Sequence, residues 1–399
     1  MRKSKKSADA AARFETEPTE GPLLQVVDLH THFHTGRGVA RAVDGVTLSL
    51  ERGRTLGVVG ESGSGKTVLA RSIMGLLPKS NVERTGSILF EGREIIHASN
   101  DELRELWGSQ MSMVFQDPMT SLNPVMKIGN QITEMILQHL DVSKAYAREL
   151  ALAQLKAVGI PEAERRLKEY PHQMSGGMRQ RIMIAIAIAC GPKLLFADEP
   201  TTALDVTVQA QILDLLEEQQ RERFMAMMLV THDLGVVAGR ADEIVVMYAG
   251  RIVEKAPTGL LFSDMRHPYT EALLRSIPKL SAPSHSLLQA IGGRPPDIVN
   301  PPTGCKFSPR CPYVQEKCTQ EEPPLTDAGS PDHQFRCWTP VGTPENRAAL
   351  EANRAAGLES ALAVVEDVLP AGVNAATETL PPLTTSHLRS GTINPKESI

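Results

Sequence analysis

The stretch Gly60-Glu61-Ser62-Gly63-Ser64-Gly65-Lys66-Thr67 decides the fold. It matches the phosphate-loop pattern G-x-x-x-x-G-K-[ST] and has the neighbours that pattern requires. The apolar run Thr55–Val59 reads as a strand before it, and Thr67–Leu77 reads as a helix after it. Glycines let successive backbone N–H groups curl around phosphate oxygens. The helix start adds a favourable dipole. Lys66 is then expected to reach the β- and γ-phosphates, and the Thr67 hydroxyl to bind Mg2+. Chance would give such a glycine-rich string in roughly one chain of this size per hundred at average residue usage, and the correct flanks make chance a poor explanation. The loop implies an NTP-binding α/β domain and nothing narrower, because kinases, GTPases and motor ATPases share it.

A second string, Leu194-Leu195-Phe196-Ala197-Asp198-Glu199-Pro200, is an apolar strand ending in adjacent carboxylates. In a parallel sheet, ligands sit at the carboxyl ends of the strands. Asp198 there can hold Mg2+, and Glu199 can polarise an attacking water as general base. Alone, the pair could equally be a capping Asp and a surface Glu before Pro200. Downstream of a phosphate loop the catalytic reading is the stronger one.

Outward from these motifs, short β-branched runs alternate with helical patterns from Leu23 to about Ala256, as an α/β domain requires. Leu24–Asp28, Gly45–Leu50, Leu194–Ala197 and Met227–Thr231 read as strands. Asp101–Trp107, Ile128–His139, Ala145–Val158 and Val206–Gln219 read as helices. Ile244–Met247 and Arg251–Lys255 read as a hairpin turning at Ala249–Gly250. Hydrophobic residues are 41% and charged residues 22% of the chain, which is ordinary for a globular protein. The net charge of -5 provides no basic field for nucleic acid. No apolar core follows the basic Met1–Lys6, and no run approaches the roughly 18 apolar residues of a membrane span. Any membrane role is expected to go through a partner. Residues 1–22 read as a disordered tail, 23–262 as the nucleotide-binding domain, 263–342 as a Pro- and Cys-rich extension, and 343–399 as a mostly disordered tail in which Glu345–Val365 is helical.

Between the two chemical motifs lies Met174-Ser175-Gly176-Gly177-Met178-Arg179-Gln180-Arg181, an N-cap Ser and two glycines opening an apolar helix through Cys190. This resembles the signature of ABC ATPases, and the remaining motifs follow in the family's order. Gln116, in Phe115-Gln-Asp-Pro-Met-Thr-Ser-Leu-Asn-Pro124, is similar to the Q-loop glutamine. Ala203-Leu204-Asp205 resembles the D-loop, and His232 in Val230-Thr-His-Asp-Leu234 the switch histidine. The resemblance covers roughly Leu23–Pro278. It implies a RecA-like core with an antiparallel β subdomain and a helical subdomain. It also implies two such domains meeting head to tail. Gly60–Thr67, Gln116, Asp198, Glu199 and His232 would serve one ATP, with Gln116 also touching Mg2+. Ser175, Gly176 and Gly177, with Asp205 nearby, would serve the opposite ATP. The signature departs from the family pattern at Met174, where Leu is usual, and at Met178, where Gln is usual. Phe33 is the one aromatic placed to stack on adenine, and a half-buried strand-end Phe is the bland reading of it.

The strings around Gln116 and Thr201–Gln209, together with Arg266-His-Pro-Tyr-Thr-Glu-Ala-Leu-Leu274, resemble the oligopeptide/dipeptide importer branch and its D-type subunit. That branch implies a heterodimer with a similar ATPase, a pair of transmembrane permeases, an extracytoplasmic peptide-binding protein, and a peripheral position on the cytoplasmic face of the inner membrane. A nickel or other small-solute importer is the alternative. Cys305, Cys311, Cys318 and Cys337 are spaced C-x5-C-x6-C-x18-C. Four thiolates in a reducing compartment favour zinc or an iron–sulfur cluster, and free thiols remain open. The resemblance tips the choice toward a [4Fe–4S] cluster that staples a core-poor segment. His333 is near enough in sequence to substitute as a ligand, and Cys190 reads as core. Soluble ABC proteins of translation or DNA repair usually carry two ATPase domains or a coiled-coil insertion, and neither is legible here. A metal-binding module with a vestigial ATPase would have a damaged loop or lack Glu199, and both are intact.

Overall fold

The computed structural model describes residues 21–78, 80–201, 204–277 and 291–357. The expected tails, apart from Gly21, Pro22 and the residues up to 357, lie outside these, as does Ala203 of the expected D-loop.

The strands in chain order are β1 (Leu24–Thr35), β2 (Gly38–Leu50), β3 (Thr55–Val59), β4 (Val82–Phe90), β5 (Arg93–Glu94), β6 (Met111–Val114), β7 (Leu194–Asp198), β8 (Ala226–Thr231), β9 (Glu243–Tyr248), β10 (Arg251–Pro257), β11 (Thr326–Ser330) and β12 (His333–Phe335). They form an antiparallel sheet ordered β2-β1-β4-β5 and a larger sheet ordered β11-β12-β10-β9-β3-β8-β7-β6. The strands β3, β6, β7 and β8 are buried along their whole length, which explains why they read as unbroken apolar runs rather than alternating ones. Leu24, Val26, Leu29, Val43 and Val46 of the antiparallel sheet share one core with Leu56, Val58, Leu69 and Ile73. A second core lies among the helices. It takes Ile128, Ile132 and Ile136 from helix Ile128–His139 and Ala147, Ala151 and Leu155 from helix Lys144–Ala157, both at four-residue spacing. Helix Gly176–Ile188 closes that core with Ile182 through Ala185, Ala187 and Ile188.

The parallel register matters most for function. Val59 pairs with Thr231, Asp198 with Val230, and Val114 with Ala197. The carboxyl ends of four parallel strands therefore open on one edge of the sheet, and the expected chemical residues follow directly after them.

The hairpin expected around Ala249–Gly250 is present, with both residues at positive φ (46° and 82°) as a two-residue primed turn needs. β1 and β2 run longer than their apolar cores suggested. The outer half of β1 carries His30, His32 and His34, and a bulge at Asp28 (φ 48°) interrupts the alternation. The helix after the phosphate loop ends at Ile73, four residues short of the expected Leu77, because Gly75 turns the chain out with φ 69°.

The extension is continuous with the large sheet. β12 pairs with β10 (Glu254 with Phe335, Lys255 with Gln334), and β11 pairs with β12. Glu254 is fully buried and accepts from the backbone of Arg266 (2.6 Å) and of His267 (2.9 Å), and its Oε1 lies 2.9 Å from His333 Nε2. His333 thus faces Glu254 through Nε2, while its buried Nδ1 has no hydrogen-bond partner. His267 begins helix Pro268–Arg275, its Nδ1 accepting from Tyr269 N at 3.0 Å, and burial depresses its pKa to about 3. A further helix, Pro344–Ala355, is capped by Thr343 and buries Asn346 and Ala349. Ordered structure therefore crosses the boundary that composition drew at 343, and the expected helix beyond 357 lies outside the described residues.

Replacing Glu254 by Ala would leave two N–H donors and an imidazole unpartnered in a dry site. The expected loss is about 3–5 kcal/mol, seen as a lower urea midpoint, and an unchanged midpoint would contradict the assigned role.

Candidate active site

Strand β3 runs into Gly60–Thr67, and helix Lys66–Ile73 begins where the loop ends. Gly65 sits at φ 104°, and a Cβ there would meet Ala42 O at 2.2 Å, so the close approach of β2 to the loop requires glycine. Lys66 is buried and donates to Gly60 O (2.7 Å) and Glu61 O (2.9 Å). Burial pushes its pKa down, while Glu199, Asp198 and Glu61 pull it back up. One ammonium thus faces three carboxyl groups, a balance suited to accepting phosphate and a divalent cation together.

Thr67 Oγ1 donates to Asp198 Oδ1 at 2.9 Å. Asp198 is fully buried, and its Oδ2 has no hydrogen-bond partner. Burial raises its pKa against the pull of Thr67 and Arg71. An orphaned buried carboxyl oxygen beside a hydroxyl is a donor set that fits Mg2+, a hard cation with oxygen ligands.

Glu199 follows β7 with φ 45°, a left-handed conformation unusual for a non-glycine residue, and its N–H is held by Val230 O at 2.9 Å. Gln116 Nε2 lies 3.1 Å from Glu199 Oε2, and His232 Nδ1 lies 3.4 Å from the same oxygen. The expected base, Q-loop glutamine and switch histidine thus converge on one carboxyl group, although 83 residues separate Gln116 from Glu199. Their convergence follows from β6, β7 and β8 lying side by side.

Ser175, Gly176 and Gly177 lie apart from this constellation. Ser175 Oγ accepts from Met178 N (3.3 Å) and caps helix Gly176–Ile188, and Ser175 and Gly176 are exposed. Leu204 and Val208 are the nearest atoms to a Cβ built on Gly176 and Gly177. Asp205 caps helix Val206–Glu222 through Val208 N (3.0 Å). Met178 packs against the helical core, and Met174 is buried in it. The two departures from the signature pattern are therefore side chains that pack on the core. Phe33 is half-exposed on β1 between Ala40 and Val82.

The four cysteines of the extension line one small cavity with His267, Pro268, Phe307 and Trp338. Burial pushes Cys305 up to about 11 and Cys337 up to about 12, and raises Cys311 well above its ordinary value, with neighbouring thiols adding to each shift. Burial by itself keeps these thiols protonated, and a soft metal centre would be needed to stabilise them as thiolates. Cys190 packs against the core, as expected, and burial raises it to about 11. Among the described residues, the only group of three or more candidate ligand atoms lying within 4.8 Å of one another is on His30, His32 and Asp44, and the four cysteine sulfurs are not drawn together that closely. Asp44 is already neutralised there by Lys306 (2.9 Å) and Arg251 (3.0 Å).

Sequence reading missed the residues that reach the loop from the extension. Arg310 Nη1 and Nη2 donate to Glu61 Oε2 (2.6 Å) and Oε1 (3.0 Å), and Tyr269 OH accepts from Glu61 N (2.7 Å). A separation of 249 residues leaves no local signal for the first pair.

Residues 43–202 match the family model described as ABC transporter, and residues 253–318 match the model described as oligopeptide/dipeptide transporter, C-terminal region. The oligopeptide transport ATP-binding protein OppD of Salmonella typhimurium is 50% identical over 80% of this chain and 94% of its own length. The dipeptide transport ATP-binding protein DppD of Bacillus subtilis is 48% identical over 79% of this chain and 94% of its own. Among solved structures, an ATP-binding cassette captured as a dimer after hydrolysis with ADP and phosphate aligns with a TM-score of 0.54 and 25% identity, covering 59% of this chain and 98% of that one. CbiO1 of Clostridium perfringens aligns with a TM-score of 0.53 and 27% identity, covering 61% and 92%.

Asp198→Asn is expected to weaken binding of Mg2+–ATP about 10- to 100-fold while leaving binding in EDTA near that of the wild type. Calorimetric titration with and without the metal checks this, and an equal loss in both would remove Asp198 from the metal site.

Proposed function

The chain belongs to the ABC transporter family, and we propose that it is the ATP-hydrolysing subunit that drives a peptide importer. The observation that carries the ATPase reading is the meeting of Gln116, Glu199 and His232 at one oxygen, on the strand edge that also carries Gly60–Thr67. ATP enters with its phosphates on the loop N–H groups, and Lys66 exchanges Gly60 O and Glu61 O for phosphate oxygens. Thr67 and Asp198 would hold Mg2+, whose charge neutralises the β- and γ-phosphate oxygens. Gln116 and His232 orient Glu199, which accepts a proton from the attacking water as its oxygen bonds to the γ-phosphorus. The bond to the bridging oxygen breaks, and ADP and phosphate leave. His232, exposed at the mouth, contacts the γ-phosphate and senses its departure.

Ser175, Gly176 and Gly177 present a capped, exposed helix start, which suits the ATP of a second ATPase subunit packed head to tail, with Asp205 beside that interface. Phe33 supplies a face for adenine. The peptide reading rests on the match of residues 253–318 and on the relatives' peptide transport names. The same reading assigns a similar ATPase as heterodimer partner, paired permeases contacted around the Gln116 loop, and an extracytoplasmic peptide-binding protein. No helix among the described residues is long and apolar enough to cross a membrane, and attachment to the cytoplasmic face of the inner membrane goes through the permeases. The four cysteines would hold a [4Fe–4S] cluster, with zinc as the competing occupant, and such a centre would tie together an extension that lacks a large core of its own.

Glu199→Gln in the assembled transporter is expected to reduce phosphate release by about 100-fold or more while ATP binding persists. Turnover near wild type would reject Glu199 as the base. Anaerobic purification should yield a brown protein whose absorbance bleaches on reduction. A colourless protein with stoichiometric zinc would reject the iron–sulfur assignment.

A further inference from the structure

The segment Cys305–Cys311 is bolted onto the nucleotide-binding domain at several points. Lys306 donates to Asp44 of β2 at 2.9 Å, and both groups are buried. Burial alone would raise the Asp44 pKa, but Lys306 and then Arg251 hold it well below the usual carboxylate range. Phe307 packs against Tyr248, Tyr269 and His267 at centroid distances of 5.2, 5.4 and 5.9 Å. Ser308–Arg310 forms a single tight turn that delivers Arg310 next to Cys311.

The Arg310 guanidinium is 2% exposed. It donates to Gly292 O (2.7 Å), Ile291 O (3.2 Å) and Tyr248 OH (3.2 Å), and closes a two-point fork on the Glu61 carboxylate. Glu61 is the second residue of the phosphate loop. It is gripped at its N–H by Tyr269, at its carbonyl by Lys66 and at its carboxylate by Arg310. Two of these three grips come from beyond residue 262. A fork of this kind fixes direction as well as distance, and a loop ordered before its ligand arrives loses less entropy on binding.

We propose that Arg310 is a positioning residue for the phosphate loop, acting through Glu61, so that the cysteine-bearing extension is a working part of the nucleotide site. The proposal rests on the reading of Gly60–Thr67 as the ATP site. A bland anchor would hold the extension in place and contribute only to stability. A positioning residue also changes the affinity for nucleotide.

The test is titration of Mg2+–ATP onto the full-length chain, with thermal melts of each variant. Arg310→Gln and Glu61→Ala are each expected to raise Kd about tenfold. The double variant is expected to stay near that same tenfold, because either change removes the same fork, and Arg310→Lys should fall between wild type and Arg310→Gln. Wild-type Kd in a folded Arg310→Gln protein, or a double variant whose effect is the product of the singles, would overturn the proposal. If Arg310→Gln does not fold, Glu61→Ala decides, since it leaves the extension's other anchors in place; a wild-type Kd there is equally fatal. Lys66→Ala separates this inference from the reading beneath it. Loss of ATP binding in Lys66→Ala upholds the loop as the site, and wild-type affinity overturns both.

Discussion

Parallel pairing of β3, β8, β7 and β6 in fixed register is the constraint on which the rest of the molecule depends. A parallel sheet aligns its carboxyl ends, and each strand here hands over to a different chemical group at that edge. β3 gives the phosphate loop, β7 the two carboxyl groups, β8 His232 and β6 the Gln116 segment. A one-residue slip of any strand would turn its buried side chains to the other face and move its chemical residue by more than 3 Å. Full burial of these strands holds the register, so the apolar packing of the sheet also sets the geometry of the site.

At that edge the fold concentrates negative charge around one buried ammonium. Asp198, Glu199 and Glu61 all act on Lys66, and Asp198 keeps a buried oxygen without a partner. Such an arrangement is unfavourable alone and becomes favourable when a divalent cation and a polyphosphate enter together. The left-handed backbone of Glu199 belongs to the same economy: the sheet imposes a strained conformation of about 1–3 kcal/mol, and that conformation turns the carboxyl group toward Gln116 and His232. The opposite half-site is built differently, from a capped helix start whose two glycines admit a close approach.

The extension reaches back into this machinery through buried charge. Glu254 gathers the backbone of Arg266 and His267 and the ring of His333, Asp44 takes Lys306, and Glu61 takes Arg310. Each carboxylate is paired and largely sheltered, the condition under which buried ions fix one geometry, although His333 Nδ1 has no hydrogen-bond partner. Cys305 and Cys311 flank Lys306 and Arg310 on one segment, so anything that anchors those two thiols also anchors the two cations that touch the domain.

Sequence by itself determined the phosphate loop, the acidic strand end, the signature helix start and the α/β class. These are written locally, in glycine positions, apolar runs and caps that need no distant partner. It located strands to within a few residues where burial was complete, and fell short along β1, where histidines on a half-exposed strand and a bulge at Asp28 hid the alternation. It also brought four clustered cysteines under suspicion, with the family resemblance and not their spacing favouring an iron–sulfur cluster. Only the tertiary structure decided that Gln116 and His232 share one oxygen of Glu199, that His333 Nε2 faces Glu254, that β12 extends the main sheet, and that Arg310 grips Glu61. Those facts depend on pairings between residues tens to hundreds of positions apart, and long-range pairing leaves no periodicity in a sequence. It arises from strand order and from the search of buried charges for partners, which are properties of the folded chain.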